Sequence, residues 1–108
     1  TLLSLAGIQA PPSLQGISLA DVVMTGAEVP KRAALTEGDG WKCLRNQDYR
    51  YLIHSDGREC LWHIETDPGE YADVVDEPAH QPALARCRHQ LLERLLQMER
   101  PLARAWVY

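Results

Sequence analysis

Between Trp41 and Ile64 three short apolar segments follow one another: Trp41–Arg45, Tyr49–His54 and Cys60–Ile64. Only Asn46-Gln47-Asp48 separates the first two, and a stretch containing Ser55-Asp56-Gly57 separates the last two. Connections this short cannot house a crossover helix, so the segments are expected to pair as an antiparallel meander, not as a parallel sheet. Tyr49 and Tyr51 flank Arg50 with the period-two alternation of a half-buried strand. Asp56-Gly57 is a hairpin signal, because glycine accepts a positive φ at no steric cost. A weaker candidate, Ala33–Glu37, precedes the set.

After the turn at Asp67-Pro68-Gly69-Glu70 the period changes. Leu84, Cys87, Leu91, Leu95 and Met98 recur at steps of three and four, which predicts a helix over Pro82–Met98, with Leu92 and Leu96 widening its stripe. Pro82 suits a first turn, where its missing N–H is not needed, and Pro101 stops the helix. Arg86, Glu93, Arg94 and Gln97 fall on other faces and are expected to be solvated. The fold class that follows is α+β: a small antiparallel sheet of about four strands packed against one carboxy-terminal helix.

The front of the chain reads differently. Thr1-Leu2-Leu3-Ser4-Leu5-Ala6-Gly7 looks like the last two turns of a helix closed by glycine, as if cut from something longer. Pro11-Pro12 then marks a loop, Ala20–Val23 a short turn or single helical turn, and Met24–Lys31 a connecting loop. At 108 residues, with 45% hydrophobic and 24% charged residues, the chain suits one small soluble core. Its net charge of −4, with no clustered basic patch, argues against nucleic acid as a partner. No apolar stretch approaches the roughly 20 residues that span a bilayer, and no segment reads as a signal peptide. Cys43, Cys60 and Cys87 form an odd set without a close pair, which fits reduced thiols and a cytoplasmic setting.

Several motifs occur in a recognisable order. Leu44-Arg45-Asn46-Gln47-Asp48-Tyr49-Arg50-Tyr51 resembles the V-R-T-x-x-[YW]-[KR]-Y strand pair of the sulfatases, members of the alkaline phosphatase superfamily. Glu59 to Glu70, reading E-C-L-W-H-I-E-T-D-P-G-E, is similar to that family's E-E-L-Y-D-L-x-x-D-P-G-E. Asp73-Val74-Val75 stands where N-L-A is common. Thr1–Ile8 and Leu14–Leu19 resemble T-L-L-D-L-A-G-x and L-x-G-x-S-L. Departures are Cys60 and His63 in place of two acids, Gly38 after Glu37 near a common histidine position, and Ile17 at an often basic one.

The resemblance implies the family's carboxy-terminal region. Residues 1–31 would be the end of a helix and a connecting loop from the parent catalytic domain, and residues 32–108 the carboxy-terminal subdomain. It also implies a parent that cleaves sulfate esters with a formylglycine and a calcium-type divalent cation. Formylglycine arises in a C/S-x-P/A-x-R motif, which needs arginine four residues after the cysteine or serine. Here Cys43, Cys60 and Cys87 are followed at that distance by Gln47, Ile64 and Leu91. Ser4, Ser13, Ser18 and Ser55 are followed by Ile8, Ile17, Val22 and Glu59. No catalytic residue, no metal site and no cofactor is therefore expected within this chain, which alone should be inactive.

Two residues remain as substrate-binding candidates. Arg45 could clamp an anionic group bidentately, or serve as a structural ion pair tying the sheet to the rest of the parent. His54 ends a strand beside the Asp-Gly turn, where it is either a substrate contact or an exposed hairpin histidine. Cys60 and His63, three apart on a strand, point to opposite faces and make a poor zinc pair. Cys87 reads as a small buried hydrophobe. Trp41, Trp62 and Trp106 read as core or interface aromatics. The functional expectation is a part of a sulfatase-like hydrolase whose partner is the parent's amino-terminal catalytic domain. The alternatives are the same subdomain of a phosphonate monoester hydrolase or phosphodiesterase, and a free-standing, non-catalytic interaction module.

Overall fold

The computed structural model describes residues 1–99, so the expectations for Pro101 and Trp106 lie outside the described residues. The described residues divide into two units, one formed by Thr1–Lys31 with Gln97–Glu99, the other by Arg32–Leu96.

In the first unit, α1 spans Leu2–Leu5 and α2 spans Ala20–Thr25. The first helix is one turn, shorter than the two turns the sequence suggests. It closes with Gly7 at φ 72°, whose N–H donates to Ser4 O at 3.1 Å while Ile8 N donates to Leu3 O at 2.8 Å. The Ser18 hydroxyl accepts from Ala20 N at 3.2 Å, and α2 runs on past Val23 to Thr25, into the segment read as loop, before Gly26 closes it at φ 68°. Leu19 N donates to Thr1 Oγ1 at 2.8 Å, and Ser18 Oγ donates to Ser4 Oγ at 3.0 Å, tying the two helices together. Neither helix buries a residue, and Leu2, Val23, Met24 and Val29 are each more than 60% exposed.

The second unit holds the meander. Strands β1 (Ala34–Gly38), β2 (Trp41–Arg45), β3 (Tyr49–His54) and β4 (Glu59–His63) lie side by side in sequence order, every pair antiparallel. The fourth strand starts one residue earlier than its apolar run suggests and ends at His63, although Ile64 N still donates to Asp48 O at 2.8 Å in the same register. The first two strands meet through Asp39-Gly40, with Gly40 at φ 73°, a two-residue Asp-Gly turn. At the β2–β3 turn, Asn46 Oδ1 accepts from Asp48 N at 3.0 Å and from Tyr49 N at 2.7 Å, so one side chain stands in for the turn's missing carbonyls. Gly57 at φ 88° and the Asp56 carboxylate, accepting from Arg58 N at 3.0 Å, close the β3–β4 turn.

Register places Leu35, Leu44, Tyr51 and Leu61 in one row across the four strands. A short 3-10 turn, Pro78–His80, leads into α3 (Gln81–Met98), which lays Leu84, Cys87 and Leu91 on that row. Leu44, Tyr51, Leu61 and Cys87 are 0–1% exposed and form the centre of the core. Cys87 is thus the buried hydrophobe its spacing indicates, and burial pushes its thiol pKa up. The helical stripe is narrower than the leucines suggest. Leu92 and Leu96 stand 57% and 59% exposed while Ala83 is buried, because the helical period turns Ala83 and Cys87 to the covered flank of Leu84, and Leu92 and Leu96 to the opposite one. Arg94, expected on a solvated face, is instead partly buried, and its Nε and Nη1 have no partner among the described residues.

The Asp67-Pro68-Gly69-Glu70 motif has a structural role. Glu70 N donates to Asp67 O at 3.0 Å, and Asp67 Oδ2 accepts from Ala72 N at 2.9 Å, folding the segment back. Glu70 adopts φ 57°, the left-handed region that favours glycine, and its carboxylate meets Arg50 Nη1 at 2.9 Å. Beyond it, Val74 N donates to Leu61 O at 2.8 Å and Asp73 Oδ1 accepts from Leu61 N at 2.9 Å. The outer edge of β4 is thereby covered at its centre.

Candidate functional site

The two candidate residues sit at opposite ends of one hairpin. Trp41 pairs with His54 and Arg45 with Arg50, so four residues of strand separate them, roughly 13 Å at the usual rise. They cannot converge on one small ligand. Arg45 is exposed, and its side chain makes no ion pair among the described residues. His54 is half-buried and lines a cleft of about 390 Å³ with Arg58, Glu59, Asp76, Leu84 and Arg88.

The cleft is chemically balanced. Arg88 grips Glu59 with two bonds, Nε to Oε2 at 2.7 Å and Nη2 to Oε1 at 2.6 Å. Tyr51 OH donates to the same carboxylate at 2.5 Å from below. These donors, Arg88 foremost, hold the Glu59 carboxyl below its ordinary range against the opposing effect of burial. Arg58 is turned onto Asp56, Nε to Oδ2 at 2.7 Å. Both guanidiniums already meet a carboxylate, and the Arg88–Glu59 pair bridges the sheet and α3.

A second cluster was not foreseen from the sequence. Tyr49 and His63 stack with centroids 4.7 Å apart, and His80 closes on both, with Tyr49 OH 2.9 Å from its Nδ1. The histidine of this group on β4, His63, is also 2.8 Å from Thr66 Oγ1 and 3.9 Å from Glu65. Only register and the return of the chain at Pro78–His80 bring these rings together, so no sequence spacing signals them. Two imidazoles and a phenol do not supply a hard-cation site. Among the described residues no group of three or more His, Cys, Asp or Glu could hold a metal ion. The residues present thus do not fit the divalent cation that the resemblance implies for a parent enzyme. All three cysteines are free thiols.

No helix among the described residues is long and apolar enough to cross a membrane. No family model and no curated protein matches the chain. Solved structures do. BT4656, in complex with its substrate D-glucosamine-2-N,6-O-disulfate, matches at a TM-score of 0.80 and 20% identity over 96% of this chain. A structure described as a sulfatase of Bacteroides thetaiotaomicron matches at 0.77 and 26% identity over 92%. BT1596, a 2-O GAG sulfatase, matches at 0.75 and 26% identity over 93%. In each case the match covers 24% of the solved chain. By motif order and by fold together the chain is recognised as sulfatase-like, and it spans about a quarter of the length of the solved proteins it matches.

Proposed function

We propose that the chain is the carboxy-terminal part of a sulfatase-like hydrolase, contributing to sulfate-ester cleavage only when joined to an amino-terminal catalytic domain. The observation that carries this reading is the match over nearly all of this chain to a quarter of the solved sulfatases. The absence of a C/S-x-P/A-x-R motif agrees with it, since the nucleophile would have to lie elsewhere in the parent. The apolar residues of the first unit agree as well. Side chains as exposed as Leu2 at 82% and Met24 at 71% serve a protein best when a further surface covers them. The formylglycine and divalent cation belong, on this reading, to the parent domain, and the parent's substrate is a sulfate ester. Residues 1–31 then form the connection from the catalytic domain and residues 32–108 the subdomain that follows it.

The test is hydrolysis of an aryl sulfate by the 108-residue chain and by the complete gene product, purified side by side. The chain alone is expected to give no turnover above the buffer rate, and the complete product to turn over. Metal-dependent hydrolysis by the chain itself, abolished by a substitution within it, would overturn the reading. A complete product that hydrolyses a phosphonate monoester and no sulfate ester would move it to the related hydrolases.

A further inference from the structure

The cleft that His54 lines holds hydrogen-bonding capacity that the fold does not use. It lies wholly within the Arg32–Leu96 unit, between the β3–β4 turn and the start of α3, and its volume of about 390 Å³ is that of a small-molecule site. Four charged side chains line it: Arg58, Glu59, Asp76 and Arg88. Arg88 and Glu59 neutralise each other, and Asp56, outside the lining, neutralises Arg58. The Asp76 carboxylate is left over, exposed and with no hydrogen bond or ion pair among the described residues. Arg58 spends only Nε on Asp56, and Arg88 spends Nε and Nη2 on Glu59, which leaves both Arg58 Nη groups and Arg88 Nη1 as donors. Gln81 Nε2 donates to Val75 O at 2.8 Å and to Glu77 O at 3.1 Å, which fixes the amide and leaves its Oε1 as an acceptor. Val75 and Leu84 give the cleft its apolar floor.

We propose that this cleft binds an amino sugar, with its ammonium on Asp76 and its hydroxyls on the free guanidinium N–H groups and Gln81 Oε1. A carboxylate without a counter-ion calls for a cation, and an ammonium bonded to it is stronger than a neutral pair. The two guanidiniums can still donate, but each already shares its charge with a carboxylate, so they suit uncharged oxygens better than a second anion. Hydroxyls set round one ring offer donors and acceptors in several directions. A simple alkylammonium would leave the N–H groups unanswered. The apolar floor meets the C–H face of the ring. The inference goes beyond the proposed function and does not depend on it, since the cleft is complete within this chain and its test involves no turnover.

The experiment titrates D-glucosamine into the isotope-labelled 108-residue chain at about pH 7, where most of the amine is protonated, and follows the backbone amide shifts. Saturating shifts centred on Arg58, Asp76 and Gln81 are expected. N-acetyl-D-glucosamine and D-glucose, which lack the ammonium, are expected to bind at least tenfold more weakly. Asp76→Asn is expected to lower the affinity for D-glucosamine at least tenfold and to leave the dispersed spectrum unchanged, because the side chain touches nothing else. Asp76→Glu, which keeps the carboxylate, is expected to retain most of the affinity. Equal binding of the three sugars, an unchanged affinity in Asp76→Asn, or shifts that never saturate would overturn the site.

Discussion

Leu61→Ala is expected to lower the stability of the Arg32–Leu96 unit by about 2–5 kcal/mol, the range for emptying a buried leucine site. Leu61 is 0% exposed and completes the row that begins at Leu35, with Val74, Leu84, Cys87 and Leu91 in the same cluster. The cavity cannot collapse easily, because β4 is held on one side by β3 and on the other by Val74 and Asp73. A unit this small has a total stability of only about 5 kcal/mol. The substitution therefore removes most of it. Urea titration followed by the fluorescence of Trp41 and Trp62 checks this, and an unchanged midpoint would contradict the assigned core.

Glu59→Ala is expected to cost about 2–3 kcal/mol, chiefly through the buried end of its network. Arg88 is half exposed and returns to water at little cost, whereas Tyr51 is 1% exposed and its hydroxyl would be left without an acceptor. Tyr51→Phe added to Glu59→Ala should recover about 1 kcal/mol, a coupling that a double-mutant cycle measures directly. The pH dependence follows from the same contacts. Because the Glu59 carboxyl titrates below its unfolded value, its contribution is full above about pH 4.3. It is lost as the pH falls further, through the depressed folded value. Acid unfolding of the Glu59→Gln variant should accordingly begin from a lower plateau and show a shallower slope in that window.

Much of this fold is readable from residue spacing, for definite reasons. Asp56-Gly57 and Asn46-Gln47-Asp48 leave so little chain between strands that only hairpins satisfy them, and the structure has those hairpins. The Asp39-Gly40 turn carries the same signal, and β1 beside it is the weaker candidate Ala33–Glu37 moved on by one residue, short and only partly apolar. Helix α3 is clear in its period, yet its width is not: Leu92, Leu96 and Arg94 have the right composition for other positions than those they occupy. A stripe of leucines says which residues are apolar, and only the sheet's actual width decides which of them it covers.

The candidate site was less legible. His54 and Arg45 attract notice by residue type, and the structure sets them at opposite ends of the β2–β3 hairpin. The groups that do come together, Tyr51 with Glu59 and Arg88, and Tyr49 with His63 and His80, are joined by register and by a helix arriving from far along the chain. Neither has a local motif. The Asp-Pro-Gly-Glu turn shows the reverse case, a conspicuous motif whose geometry explains it: Glu70 takes a left-handed φ and neutralises Arg50 on β3.

The most direct test of the account is the intact mass of the natural gene product, captured with an antibody against the Pro82–Met98 helix and then peptide-mapped. The account predicts a species several times the 12.2 kDa of this chain, carrying an upstream peptide with formylglycine. A species near that mass, beginning near Thr1 and without an associated partner, would contradict it.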